Sequence, residues 1–225
     1  MSAGLLGSTD KTGLSAVSIY CEIQLEVSMP APKVPLTRKD LFRCIAVETA
    51  RMSYPGSMSR GKKPVVFKGT KKALEGYFND AFPIENVWND APTIARDYDR
   101  WHKSRVDEIV TFIREHVSDH NVPCSVAAKF LNTFMHQLMK YEQGRPLFTC
   151  LQLPLDARVF RTLLRIKSPC ITPLRDTFRN SPYALPYEQH AAVQLALWQF
   201  ITELNARPNA GFKLTSRIDL NWLWL

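Results

Sequence analysis

The chain has 225 residues, of which 45% are hydrophobic, 11% aromatic and 22% charged, and this composition excludes a fibrous or wholly disordered protein. Its length fits one globular domain or a closely packed pair. Lysine and arginine number 29 against 21 aspartate and glutamate, and the formal net charge of +8 favours an anionic partner, with a nucleic acid first and a membrane surface second.

Residues 1–36 form the first predicted segment, an N-terminal arm. Its partly alternating stretch SIYCEIQLEV is β-leaning and predicts a short strand or an appended, disordered piece. A Thr-x-x-Asp capping signature at Thr37 then opens the helix TRKDLFRCIAVETARM. The Pro- and Gly-punctuated stretch SYPGSMSRGKKPVVFKGT predicts a loop, so the chain divides into an arm and a helical domain over residues 37–225.

Helical periodicity continues through most of the remaining chain. Helices are predicted over residues 70–82, 91–117, 125–143, 155–166 and 187–205, with a proline-interrupted stretch before the last of them. The terminal GFKLTSRIDLNWLWL predicts a strand-like or packed tail. The fold class is therefore mostly α, with a short β-leaning N-terminal segment.

The cysteines and the apolar runs indicate the cellular compartment in which the protein is expected to reside. The five cysteines include no C-x-x-C pair and no histidine at zinc spacing, which predicts reduced thiols and no metal site. The stretch DRWHKSRVDE places His102 near two acids but supplies no second His or Cys ligand. No apolar window is long enough to span a membrane, and the start MSAGLLGSTDKTGLSA lacks the features of a signal peptide. We expect a cytoplasmic protein without a membrane partner.

Two predicted helices carry the candidate chemistry. Within SVAAKFLNTFMHQLMK one face is apolar, while Lys129, Asn132 and His136 recur on the opposite, polar face. Solvated surface is the ordinary explanation for such residues. Asp156 opens the predicted helix LDARVFRTLLRI, where the orphan amides and the helix dipole favour a carboxylate as an ordinary cap. Each residue taken alone is explained without function.

Taken together and in order, VPCSVAAKFLN and LPLDARVFRTLLRI resemble the helix-hairpin-helix superfamily of DNA glycosylases. Lys129 and Asn132 match the K-x-x-N-like pattern of the helix that follows the family hairpin. The residues that match the later family segment P-V-D-T-H-V-x-R-x-x-x-R-L are Pro154, Asp156, Val159, Arg161 and Arg165. The resemblance covers about residues 121–167 and is closest to the 8-oxoguanine glycosylase-like branches without an iron–sulfur cluster.

The chain departs from the family pattern at three places. The hairpin reads V-P-C-S-V and has no glycine, although the family hairpin is glycine-rich so that its amides can approach a phosphate. Ala157 and Arg158 replace the Thr-His after the family aspartate, and the interval from Lys129 to Asp156 is longer than in the endonuclease III branch. No cysteine follows Cys170, so an iron–sulfur cluster is not expected.

The resemblance implies two packed helical subdomains, with the hairpin region near residues 118–140 and the catalytic helix near 155–166. It implies that Asp156 is the catalytic carboxylate and that Lys129 is the nucleophile if the enzyme also cleaves the strand. The implied partner is double-stranded DNA, bound by a monomer that needs no cofactor. Because the family takes many damaged bases, repair and defence against modified phage DNA both remain open.

Further residues would bind the DNA backbone and the extruded base. The candidates for DNA binding lie on the two helices and are Ser125, Asn132, Arg158, Arg161, Arg165 and Lys167. The candidates for the base pocket are Trp101, His102 and His136, and packing in the core is the common alternative for each.

Two other classes of function remain open. A catalytically inactive, helical nucleic-acid-binding protein would keep the basic scaffold and use Asp156 as a solvent-exposed cap. A helical protein-interaction module would bind duplex DNA weakly, without the steep salt dependence of phosphate contacts.

Overall fold

The structure is a computed structural model that describes Val47 and residues 68–117, 122–138, 142–207 and 213–224, without the side chains of residues 142–145 and 221–224. The chain divides into two units, residues 1–36 and 37–225, and every described residue belongs to the second. The predicted N-terminal arm lies outside the described residues, as does the first predicted helix apart from Val47, which is helical.

Helices account for most of the described residues, which confirms the predicted mostly-α class. The α-helices are α1 Thr70–Gly76, α2 Ile84–Asn89, α3 Ala91–Arg96, α4 Tyr98–His116, α5 Cys124–Leu138, α6 Ala157–Leu163, α7 Arg175–Arg179 and α8 Tyr187–Asn205. A π-helical turn spans Tyr77–Ala81, and 3₁₀ helices span Glu142–Cys150, Thr172–Leu174, Pro182–Ala184 and Arg217–Trp224. Within the described ranges, none of these helices has the length and apolar character needed to cross a bilayer.

The centre of the core lies between α4 and α5, which pack against each other. Ile109 and Ile113 stand one turn apart on α4 and are fully buried, as are Phe130 and Phe134 on α5. Phe78, from the π-helical turn, stacks on Phe134 with the ring centroids 4.2 Å apart. Burial of one such side chain contributes about 2 kcal/mol to folding. This packing fixes α5, which carries the polar residues considered below.

The helix predicted over residues 91–117 is two helices. Asp97 has φ −135° and ψ 45°, which ends α3, and α4 begins at the next residue. Ala91 on α3 and Tyr98 on α4 are both buried, at 1% and 4% exposure. The bend lets both helices place apolar side chains in one core, a constraint that periodicity along a single helix does not reveal.

The C-terminal segment is packed and helical, so the prediction of a strand-like tail is wrong and its packed alternative holds. Ile218 and Leu220 are buried in the 3₁₀ helix Arg217–Trp224. Oδ2 of Asp219 accepts hydrogen bonds from the backbone N–H groups of Thr215 at 2.7 Å and Ser216 at 2.9 Å. These bonds satisfy amides at the start of the turn, which a strand without a partner would leave unpaired.

Candidate active site

Asp156 is the N-cap of α6. Its Oδ1 accepts hydrogen bonds from the backbone N–H of Arg158 at 2.8 Å and of Val159 at 3.0 Å. Both bonds use the same oxygen, so Oδ2 lies outside the cap. Asp156 is half-buried. Asp156 is therefore a helix cap that uses one of its two carboxylate oxygens.

The extended segment before Asp156 is held by side chains from later in the chain. Oε1 of Gln194 accepts from the N–H of Leu153 at 3.0 Å, and Nε2 of Gln194 donates to the C=O of the same residue at 2.7 Å. The guanidinium of Arg217 donates to the carbonyl of Leu151 at 3.1 Å and to that of Cys150. Because these bonds replace those of a strand partner, the backbone leading to Asp156 is fixed.

Lys129 lies on the polar face of α5, and the structure shows this face to be buried. Lys129 is 6% exposed and Asn132 is 1% exposed, so solvated surface is the wrong interpretation for both. The 3₁₀ helix Pro182–Ala184 and helix α8 contact α5. A lysine this deeply buried is rare unless a partner compensates for its lost hydration.

Two groups offset part of the hydration that the Lys129 ammonium loses on burial. Burial lowers the pKa of Lys129, and the Asp156 carboxylate acts in the opposite direction by stabilising the charged form. The ring centroid of Tyr183 lies 5.6 Å from Nζ of Lys129, within the range of a cation–π contact. Lys129 of α5 thus contacts Tyr183 of the 3₁₀ helix, and Asp156 at the start of α6 acts on both through its charge, without an ion pair to Lys129 within 4 Å. We call Lys129, Asp156 and Tyr183 the Lys-Asp-Tyr cluster.

Sequence reasoning found two members of this cluster and missed the third. Tyr183 lies in the stretch NSPYALP, where prolines interrupt every periodic pattern. No local signal in that stretch separates a tyrosine that covers a buried lysine from one on a loop surface. The contact depends on how the 3₁₀ helix packs on α5.

His102, predicted as a base-pocket residue, is fully buried beside Asn132. Its Nε2 lies 2.9 Å from Oδ1 of Asn132, and its Nδ1 lies 2.9 Å from the hydroxyl of Tyr187. Both ring nitrogens are therefore satisfied within the protein. In this position His102 orients Asn132, one helical turn from Lys129, through a hydrogen bond.

A second buried histidine continues this arrangement. His190 lies parallel to His102 with ring centroids 6.0 Å apart, and its Nε2 is 3.0 Å from Oε1 of Gln152. Nε2 of Gln152 donates in turn to Oδ1 of Asp99 at 3.0 Å. Burial is the main reason that the pKa of His190 falls to about 4, with a further contribution from Arg217, and burial also lowers the pKa of His102. We call these connected residues the His102–His190 network.

His190 and Gln194 were not singled out from the sequence, although a signal exists. Both are buried and stand one turn apart on α8, interleaved with the buried Val193 and Leu197. Polar residues inside an apolar stripe of an amphipathic helix indicate internal hydrogen bonding.

The remaining candidates lie at other places in the fold. Trp101 is half-buried, with its ring 5.5 Å from Tyr98 and 6.4 Å from Phe82, so it belongs to the aromatic packing of the core. His136 is half-buried on α5. Ser125 is 2% exposed, and its hydroxyl has no hydrogen-bond partner among the described residues. A buried hydroxyl of this kind at the start of α5 remains available to a ligand that reaches it.

The predicted DNA-binding cations on and after α6 are exposed. Arg158, Arg161, Arg165 and Lys167 all face solvent, and none forms an ion pair in the part of the chain that the structure describes. Some exposed cations elsewhere pair with acids about one turn away, as in Arg100–Asp97, Lys103–Asp107 and Arg179–Asp176, whereas others, such as Lys72 and Arg96, form no ion pair within the described residues. Positive charge without local compensation therefore accumulates beside Asp156, which favours an anionic ligand there.

Comparison with known proteins identifies no relative. No family model, curated protein or solved structure matches this chain. The chemistry of the Lys-Asp-Tyr cluster and the basic surface beside it therefore carry the functional argument.

Proposed function

We propose that this protein is a DNA N-glycosylase, which hydrolyses the bond between deoxyribose and an extruded damaged or modified base in double-stranded DNA. The observation that carries the proposal is the burial of Lys129 within the electrostatic influence of Asp156 at the start of α6. The exposed cations next to it supply the charge that a phosphate backbone requires.

The carboxylate of Asp156 has a defined part in this reaction. As the bond from C1′ to the base nitrogen breaks, its electron pair leaves with the base, which takes up a proton, and positive charge develops on the sugar. Oδ2 of Asp156, outside the cap, stabilises that charge and orients a water. The water oxygen then bonds to C1′ and releases its proton, leaving an abasic site.

Lys129 provides a second route on the same site. Its neutral amine can attack C1′ in place of water, lose a proton and form an imine after the sugar ring opens, and β-elimination then cleaves the strand. Burial lowers the pKa of Lys129, so a larger fraction of the amine is neutral at a given pH than for an exposed lysine. Strand cleavage at the abasic site is therefore part of the proposal.

The test is formation of abasic sites by the purified full-length protein. Duplexes that carry oxidised, alkylated, deaminated or hypermodified bases, and phage DNA, are incubated with the protein and then treated with alkali. We expect base release from at least one class of duplex. If no class is cut while salt-sensitive binding to DNA persists, the protein is instead a catalytically inactive nucleic-acid-binding protein, and Asp156 serves only as a cap.

Lys129→Met is expected to separate the two routes. The variant should lose imine trapping by borohydride on abasic DNA and keep base release by water. Because methionine removes a buried amine without leaving a large cavity, the free energy of unfolding should stay the same or increase. Trapping that persists in this variant would assign the imine to another amine. Lys103→Met, on the exposed face of α4, is the matched control and should leave trapping unchanged.

Replacement of the exposed cations on α6 is expected to weaken DNA binding without regard to sequence. In Arg158→Gln and Arg161→Gln, the slope of log Kd against log salt should decrease by about one for each phosphate that the replaced arginine neutralises. Arg179→Gln is the matched control, because Arg179 is already paired with Asp176 on α7. Equal salt slopes in all three variants would place the DNA on another surface.

A further inference from the structure

The backbone of Tyr183 is held by a capped 3₁₀ turn. It lies in the 3₁₀ helix Pro182–Ala184, whose Pro182 is buried. Oγ of Ser181 caps this turn by accepting the N–H of Tyr183 at 3.3 Å, and the C=O of Ser181 accepts the N–H of Ala184 at 3.1 Å. The backbone that carries the ring is therefore fixed by its own short helix.

The ring of Tyr183 is placed against the buried ammonium of Lys129. Nζ lies 5.6 Å from the ring centroid, and the negative face of an aromatic ring attracts a cation at this distance. Since Lys129 is only 6% exposed, solvent screens the attraction less than at a surface site. The ring thus offsets part of the hydration that the ammonium loses.

The hydroxyl of Tyr183 is placed against the start of α6. Burial and the Asp156 carboxylate raise the pKa of the Tyr183 phenol, and the backbone at Ala157 acts in the opposite direction. The Asp156 cap takes the next two amides of α6, those of Arg158 and Val159. Tyr183 therefore lies within the electrostatic influence of the Asp156 carboxylate while its ring contacts the Lys129 side chain.

We infer that Tyr183 is the positioning residue of Lys129, which holds the ammonium against its ring at the amino end of α6, beside Asp156. The attraction acts on the protonated amine only, so loss of the proton releases the neutral amine to react. Tyr183 thereby sets the place of the resting lysine and, by favouring its protonated form, raises the pH at which the amine becomes a nucleophile. What Lys129 then does to DNA rests on the proposed function, whereas the ring contact itself does not.

The test varies the charge on the ring face and keeps its shape. Phenylalanine and its monofluoro, difluoro and trifluoro forms are placed at position 183 of the full-length protein. The pKa of Lys129 is then measured without DNA, from the pH dependence of its labelling by acetic anhydride. We expect the pKa to fall stepwise with fluorination, by about one pH unit across the series. A pKa that stays constant or rises across the series would overturn the inference, because packing alone would then explain the contact.

A second measurement separates this inference from the proposed function. Borohydride trapping on abasic duplex DNA is followed against pH in the same variants, and its acidic limb should move with the pKa of Lys129. A stepwise pKa change without trapping in any variant, wild type included, would uphold the ring contact and refute the reaction at Lys129. If the acidic limb of the trapping profile stays at the same pH while the pKa of Lys129 changes, Tyr183 does not control the protonation of the amine that reacts.

Discussion

Asp156→Asn is expected to reduce base release by on the order of a hundredfold or more while leaving the fold intact. Asparagine caps helices about as well as aspartate, so its side-chain oxygen can keep the bonds to the N–H groups of Arg158 and Val159. The substitution removes the negative charge and little else. Initial rates of abasic-site formation and thermal unfolding of the same samples measure the two effects.

Asp219→Asn provides a matched control. Asp219 is also half-buried, and one of its oxygens also accepts two backbone N–H groups. It belongs to the C-terminal 3₁₀ helix, which packs against α6, but its charge does not act on Lys129 as that of Asp156 does. Base release should therefore stay within about twofold of wild type, which is the scatter ordinary for surface changes. If Asp156→Asn also kept the wild-type rate, the carboxylate of Asp156 would be a cap alone.

Acidification is expected to destabilise the protein through the His102–His190 network. The folded state holds the pKa of His190 near 4, below the usual value of 6.5, and the pKa of His102 is also lowered. Between those two pH values the unfolded chain binds protons that the folded chain excludes. The free energy of unfolding is therefore highest above pH 6.5. It decreases as the pH falls from 6.5 to 4, by about 3 kcal/mol for His190 alone. Urea unfolding across this pH range measures the loss.

His190→Gln tests whether the buried ring causes this dependence. Glutamine can hydrogen-bond but does not titrate, so the variant should lose less stability on acidification than wild type, whatever its stability at neutral pH. His116→Gln is the control, because His116 is exposed at the end of α4. An unchanged pH slope in His190→Gln would assign the acid sensitivity to other groups.

The helices that carry Lys129 and Asp156 were predictable from the sequence because each depends on local patterns. The amphipathic run around Lys129 predicts that this residue lies within a helix, and Pro-Leu-Asp predicts that Asp156 lies at a helix start. Lys129 is observed within α5, and Asp156 is observed as the N-cap of α6. The burial of Lys129 was not predictable, since a polar helix face is solvated unless another segment covers it. Here the cover comes from the proline-interrupted stretch that carries Tyr183, about fifty residues later in the chain.

The histidines show the same limit. Periodicity assigns His102 to α4 and His190 to α8, but it does not show that the two rings stack. Their contact depends on the packing of helices that are distant in sequence. The bend at Asp97 has the same origin, because the buried positions of Ala91 and Tyr98 are set by the whole core.

The side-chain bonds that hold the segment before Asp156 have a consequence for synthesis on the ribosome. Gln194 and Arg217 bind the backbone of residues 150–153, yet both are translated after that segment and after Lys129. A nascent chain therefore presents Asp156 before the side chains that hold the segment leading to it have been translated. We expect the cluster to assemble only after Arg217 has left the exit tunnel, so that maturation of the site is a late event in the vectorial folding of the chain.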